Sequence, residues 1–139
     1  MKIYLWWDDE IYGNFEPYAS SLNTVPEDEC YIASLLTDDG GLGYQATIRE
    51  SAEVLDALAK ISDGRIQSYF WSRETFVADI SAQEVKISSQ FCDDFFDVMT
   101  FDEFSEVLKV WYDMLVTDKA STSSKLILEI NPVMRRAAS

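Results

Sequence analysis

The sequence contains no histidine, and this absence removes a large part of enzyme chemistry. Histidine is the usual base that activates a serine or cysteine nucleophile, and its imidazole is the commonest metal ligand in proteins. Ser-His and Cys-His catalysis and imidazole-based metal sites are therefore excluded. The serines also lack an evident lysine partner that could replace histidine as the activating base. We expect a protein that is not an enzyme and that carries no metal and no cofactor.

Cysteine is scarce as well, with only Cys30 and Cys92 in the chain. Two cysteines without the short spacing of zinc ligands do not make a zinc site. The N-terminal apolar stretch is only five residues long before it reaches three acids, too short for the core of a signal peptide, and no apolar run approaches a membrane span. We expect a cytoplasmic protein in which both cysteines are free thiols.

Basic residues are few: 11 lysines and arginines stand against 25 acids, a net charge of −14. No base lies between Lys2 and Arg49, a stretch that holds the first acidic tract: Asp8, Asp9, Glu10, Glu16, Glu27, Asp28, Glu29, Asp38 and Asp39. The second acidic tract has Lys109 as its only base: Asp93, Asp94, Asp97, Asp102, Glu103, Glu106, Asp113 and Asp118.

Such a charge repels phosphate backbones and anionic lipid headgroups, so we expect neither direct nucleic-acid binding nor membrane binding. It attracts a basic protein partner instead. Repulsion within each acidic tract also lowers the stability of the folded protein, so we expect the acids to serve a purpose other than folding. A simpler explanation, that the acids keep an aromatic-rich protein soluble, stays open.

Glycine and proline are also sparse, with five and three copies, and they form no linker. With 47% hydrophobic residues and no internal repeat, we expect a single domain over 1–139, with a tail at 133–139 that frays. Two helices are predicted. Ser51 is the expected N-cap of a helix at about 51–62, which Asp63 and Gly64 end. Thr100 and Glu103 form a capping box for a helix at about 101–116.

The rest of the chain is typical of β-strands. Alternating or β-rich segments predict strands at 2–7, 30–36, 43–48, 65–71, 74–80, 84–91, 95–99 and 125–130. The Asp38–Gly41 turn between the second and third of these predicts a hairpin. Residues 13–28 allow no prediction. Short connections require antiparallel pairing, so we predict an α+β fold, a twisted and mostly antiparallel sheet with the two helices packed on it.

Aromatic residues lie among the acids of both tracts. Trp6 and Trp7 are adjacent, so in a β-strand only one of them faces the protein core. The other lies on the outer face, beside the acids. Aromatic anchors among carboxylates suit a protein interface that receives lysine and arginine. The predicted partner-binding residues are Trp7, Asp8, Asp9, Glu10 and Tyr12 from the first tract and Asp93, Asp94, Phe95 and Asp97 from the second.

An enzymatic alternative is a metal-dependent hydrolase. Glu84 and Lys86 have E-x-K spacing, with Asp79 or Asp63 upstream, which loosely imitates the nuclease pattern PD-(D/E)-x-K. There two carboxylates hold Mg²⁺ and the lysine stabilises the attacking water. A nuclease also needs a basic stripe for its polyanionic substrate, and the sequence has none. The alternating solvent face of a strand explains the same spacing.

The layout of residues 74–115, a β-pair, an acidic turn and then the capped helix FDEFSEVLKVWYDML, resembles immunity proteins of contact-dependent growth-inhibition and related polymorphic toxin systems. The resemblance implies a function: to bind one cognate toxin domain, commonly a basic nuclease, and block its active site or substrate surface. It assigns no role to single residues. An acidic DNA-mimic inhibitor of a nucleic-acid-binding protein is the alternative, and the oligomeric state stays open.

Overall fold

The computed structural model describes residues 1–9, 15–21, 31–91, 95–117 and 126–136. The first half of the chain forms β1 (Lys2–Asp9), β2 (Phe15–Ser20), α1 (Tyr31–Thr37), α2 (Tyr44–Ser62) and β3 (Ser68–Ser72). The second half forms β4 (Phe76–Ser81), β5 (Val85–Ser89), β6 (Phe95–Met99), α3 (Phe101–Val116), β7 (Leu126–Glu129) and β8 (Val133–Arg136).

The strands form two sheets, and each pairing in them is antiparallel. One sheet has the order β2-β1-β7 and the other the order β3-β4-β5-β6-β8. Strands β7 and β8 follow each other in sequence but belong to different sheets, so the corner at Ile130–Pro132 joins the two. The predicted α+β class is confirmed, with two sheets and three helices in the described chain where we expected one sheet and two helices.

Helix α3 matches its prediction, and the capping box explains where it begins. The Thr100 hydroxyl accepts a hydrogen bond from the Glu103 amide at 3.0 Å, and the Glu103 carboxylate accepts one from the Thr100 amide at 3.3 Å. The other carboxylate oxygen of Glu103 accepts from the Asn131 amide at 2.6 Å. One side chain therefore starts the helix and ties it to the corner between the sheets. The buried stripe consists of Phe104, Val107, Leu108, Trp111, Met114 and Leu115.

Helix α2 ends as predicted but begins seven residues earlier, at Tyr44 instead of Ser51. Ser51 is fully buried inside the helix and is not its N-cap. Thr47, Ser51, Val54 and Leu58 are all buried, at spacings of three and four, so one helical stripe extends through the segment that we predicted as a strand at 43–48. Because Thr47 and Ser51 are polar, this stripe is not visible as an apolar pattern in the sequence.

The strand predicted at 30–36 is wrong as well, because Tyr31–Thr37 is helix α1. Ile32, Leu35 and Leu36 are buried at helical spacing, and a short apolar run of this length fits a strand equally well on paper. The Asp38–Gly41 turn thus joins two helices and makes no hairpin. The Asp38 carboxylate accepts hydrogen bonds from the amides of Thr75 and Phe76 at 2.7 and 2.8 Å, which fixes the turn against β4.

The remaining predicted strands are confirmed as β1, β3, β4, β5, β6 and β7. The tail differs from its prediction: residues 133–136 do not fray but form β8, which pairs with β6, while 137–139 lie outside the described residues. Phe15–Ser20, inside the segment without a prediction, is β2. Cys30 and Cys92 lie outside the described residues, so the prediction of free thiols stays a prediction.

One hydrophobic cluster joins side chains from both sheets and all three described helices. Its largest fully buried members include Trp111 and Phe104 of α3, Leu5 of β1 and Ile87 of β5. None of these helices is both long enough and apolar enough to cross a bilayer.

Candidate protein-binding surface

In the first acidic tract, Trp7 belongs to the core and not to the predicted partner-binding surface. It is 6% exposed, its indole N–H donates to the Met114 carbonyl at 3.1 Å, and its ring meets that of Tyr44 edge-on at 5.2 Å. Period-two alternation with the buried Ile3 and Leu5 is the reason, and that parity was readable in the sequence. Trp6 is the tryptophan on the opposite face of β1, half-buried and stacked on Tyr18 at 5.6 Å.

The acids at the end of β1 remain on the surface. Asp8 is exposed and pairs across the sheet with Glu16, which is also exposed. Like charges directly opposite each other on adjacent strands are destabilising. The backbone of Asp9 continues β1, while Glu10 and Tyr12 lie outside the described residues. Of Asp8 and Glu16, only Asp8 was among the predicted partner-binding residues, and Glu16 lies directly opposite it on β2.

In the second acidic tract, Phe95 is exposed but Asp97 is not. Asp97 lies on the inner face of β6, opposite Ile87, and is 6% exposed, so it is not on the surface where we expected a partner to contact it. Its carboxylate accepts a hydrogen bond from the Tyr31 amide at 3.3 Å. Burial raises the pKa of Asp97, and this hydrogen bond offsets part of the increase. Asp93 and Asp94 lie outside the described residues.

Three residues of the hydrolase alternative, Glu84, Lys86 and Asp63, each contact a residue outside that set. Asp79 and Lys86 are direct neighbours on β4 and β5, both exposed. The Glu84 carboxylate lies 3.9 Å from the guanidinium of Arg135, and the Lys86 ammonium lies 5.3 Å from the centre of the Phe96 ring. Asp63 pairs with Arg65 at 2.7 Å beyond the end of α2. Among the described residues, no group of three or more acids or cysteines is arranged to hold a metal ion.

Arg73 has a structural role that sequence analysis missed. Its side chain is fully buried between β3 and the first two helices. One guanidinium nitrogen donates to the carbonyls of Leu35 and Leu36, at 3.0 and 2.8 Å, in the last turn of α1. The other donates to the Thr47 hydroxyl at 2.9 Å and the Glu50 carboxylate at 3.3 Å on α2. This base therefore holds two helices together and adds no positive charge to the surface.

Trp71 belongs to the same network, and Tyr69 lies near it. The Trp71 indole N–H donates to the other oxygen of Glu50 at 3.2 Å, and the Arg73 guanidinium lies 5.2 Å from the Trp71 ring. Burial, followed by the charges of Glu53 and Glu50, raises the pKa of the nearby Tyr69 phenol. Two acids of α2 therefore add to the effect of burial on the pKa of a tyrosine in the adjacent edge strand.

Other bases are also engaged. Lys60 pairs with Asp56 at 3.0 Å, and Arg65 and Arg135 have the partners already given. Many exposed acids, in contrast, form no ion pair with another described residue: Asp8, Glu16, Glu53, Glu74, Asp102, Glu106 and Asp113. Acids therefore predominate on the exposed surface of β1, β2, α2 and α3, where Lys2, Arg49 and Lys109 are also exposed without an ion pair to another described residue.

No protein-family model matches the chain, and comparison with curated proteins and with solved structures also gives no match. The functional proposal therefore depends on the surface of the chain itself.

Proposed function

We propose that this protein binds a basic protein domain and neutralises it, as an immunity protein does with its toxin. The observation that carries the proposal is the predominance of acids on the exposed surface, above all the facing carboxylates of Asp8 and Glu16. A cross-strand pair of like charges costs stability in the free protein. A lysine or arginine from a partner relieves that repulsion on binding, so the arrangement favours a complex with a basic surface.

The charge also suits the task of capturing a toxin. Long-range attraction between oppositely charged proteins raises the association rate by one or more orders of magnitude and discriminates against acidic partners. A toxin that enters the cell must be bound before it acts, so a fast association rate has direct value. A DNA-mimic inhibitor would use the same negative surface, but its target would be a protein whose natural ligand is nucleic acid.

The test is protection of growing cells. Cells that express the basic toxin domain encoded by the adjoining gene should survive when they also express this protein, and the purified pair should bind with nanomolar affinity. The association rate should fall steeply as NaCl rises from about 50 to 500 mM, because salt screens attraction between exposed charges. Death of the toxin-expressing cells in spite of this protein, or an association rate that does not change with salt, contradicts the proposal. Displacement of DNA from a host protein, with no protection, would support the DNA mimic.

Two charge-matched double variants locate the interface. Asp8→Lys with Glu16→Lys changes the β1–β2 surface, and Glu106→Lys with Asp113→Lys changes α3 by the same net amount. All four side chains are exposed, so both proteins should keep the fold. The variant at the interface should slow association and lose protection, whereas the other should slow association only modestly. If neither changes affinity or its salt dependence, the acids serve solubility alone.

A further inference from the structure

Helices α2 and α3 lie side by side and leave an open groove of about 690 Å³ between their outer faces. The α2 wall is formed by Leu55, Leu58, Ala59 and Ser62. These positions are spaced i, i+3, i+4 and i+7, so they form a single stripe along the helix. Leu55 is half-buried and Ala59 is exposed, which means that apolar surface of this stripe remains open to solvent.

The opposite wall is one half of the α3 surface, with Asp102, Glu106 and Lys109 near its middle. Phe101 and Val110, about two and a half turns apart, form its two edges, and Ser105 lies between them. All three are half-buried, and Phe101 and Val110 pack against the hydrophobic core. Asp102 and Glu106 line the same groove and are exposed, and neither has an ion pair with another described residue. Both belong to the second acidic tract. The groove therefore combines an apolar α2 wall with an α3 wall whose exposed acids, Asp102 and Glu106, form an acidic rim that Lys109 interrupts.

The length of the groove limits what fits it. The α2 stripe spans residues 55–62 and the α3 wall residues 101–110, which correspond to about 10–14 Å of helix at 1.5 Å per residue. That length accommodates about two turns of a third helix, which presents two or three apolar anchors on one face.

We propose that this groove is the docking site for a basic amphipathic helix of the protein partner. Charge complementarity identifies the occupant: the rim offers Asp102 and Glu106, and the whole chain carries a net charge of −14, so lysine and arginine beside the anchors are attracted. A second copy of this chain would bring two acidic rims together and is disfavoured. This inference rests on the proposed function, because it names the part of the partner that is recognised.

A peptide probe tests the groove without the partner. The probe is a fluorescent helix of about 14 residues, with leucine at i, i+3, i+4 and i+7 and lysine elsewhere. A control peptide has the same composition with its leucines spread around the helix. Fluorescence anisotropy should show binding of the amphipathic probe about tenfold tighter than that of the control, because only the probe places its apolar anchors in the groove.

Two tryptophan substitutions on the same helix serve as a matched pair. Ala59→Trp fills the groove, whereas Ala52→Trp places the same indole on α2 outside it, and both alanines are exposed. Ala59→Trp should weaken probe binding about tenfold, and Ala52→Trp should leave it within about twofold. Circular dichroism melts verify that both variants fold. Equal binding of the two peptides, or equal effects of the two substitutions, overturns the proposal.

Size-exclusion chromatography addresses the other occupant, since a wild-type dimer that Ala59→Trp dissociates would assign the groove to a second copy. The protection assay then separates the two proposals. If wild type protects cells and Ala59→Trp protects them equally well, the groove inference fails while the proposed function stands. If wild type does not protect cells at all, the proposed function fails, and probe binding still reports on the chemistry of the groove.

Discussion

Replacement of the buried Arg73 by methionine tests the interaction that holds α1 and α2 against the sheet. Methionine has a similar length and suits an apolar site, but it cannot donate a hydrogen bond. In the wild type the guanidinium donates to the carbonyls of Leu35 and Leu36 at 3.0 and 2.8 Å. Both belong to the last turn of α1, where the helix dipole also favours a positive charge. The substitution removes both effects.

The expected loss follows from the acceptors that are left without a donor. A buried acceptor without a hydrogen bond costs about 1–3 kcal/mol. The substitution leaves the Leu36 carbonyl in that state, whereas the Leu35 carbonyl keeps the hydrogen bond that it accepts from the Asp38 backbone N–H at 3.4 Å. We therefore expect Arg73→Met to lower the free energy of unfolding by about 1–3 kcal/mol. The side chain of Glu50 is 32% exposed, so water hydrates its carboxylate when Arg73 is replaced, and loss of this ion pair adds less than about 1 kcal/mol.

Urea denaturation followed by circular dichroism measures these differences. Arg73→Lys is the control that keeps the charge but loses the planar fork of donors, so its stability should fall between those of wild type and Arg73→Met. The loss should persist in about 0.5 M NaCl, because salt barely screens a fully buried group. A stability of Arg73→Met within about 0.5 kcal/mol of wild type would refute the role assigned to this network.

Three further substitutions test the fold. Thr100→Ala removes half of the capping box and should cost about 0.5–2 kcal/mol in the same urea assay, while Trp111→Ala should cost about 3–5 kcal/mol because the ring is fully buried. Changes near zero for both would contradict α3 as a packed helix. Asp97→Asn tests the raised pKa. The folded state holds the Asp97 proton to higher pH than the unfolded state does, so the stability linked to this carboxyl falls as pH rises from the ordinary aspartate pKa through the raised one. The stability of Asp97→Asn relative to wild type should therefore increase with pH over that window, and a constant difference would contradict the assignment.

Strong local signals were sufficient for α3 and for most strands. Helix α3 combines a complete capping box with six buried positions at helical spacing, so propensity, capping and pattern agree. The strands from β3 to β6 are bounded by short polar breaks, and antiparallel pairing follows from those short connections. The excess of acids over bases is also a property of the sequence, and it favours a basic protein partner whatever the fold.

Parts of the candidate site were only partly accessible from the sequence. That Asp8 is exposed agrees with the prediction for it, but its neighbour Glu16 became relevant only when β1 and β2 were paired. The prediction placed Trp7 on the outer face of β1. Trp7 lies two positions after the buried Leu5, so the alternation of a strand indicates that it faces the core. No local pattern in the sequence indicates that Asp97 is buried. Its burial depends on α1, whose first residue, Tyr31, contacts Asp97 although the two lie 66 positions apart in the chain.

The amino-acid sequence by itself determined the α+β class, the capped helix, most of the strands and the negative charge, since each depends on neighbours within a few residues or on composition alone. Tertiary structure decided whether Tyr31–Thr37 and the start of α2 became helix or strand, because short apolar segments fit both periods and packing selects one. It also decided that Arg73 is buried and that α2 and α3 form an acid-rimmed groove. Those features arise from side chains that lie far apart in sequence, and only the assembled core brings them within contact distance.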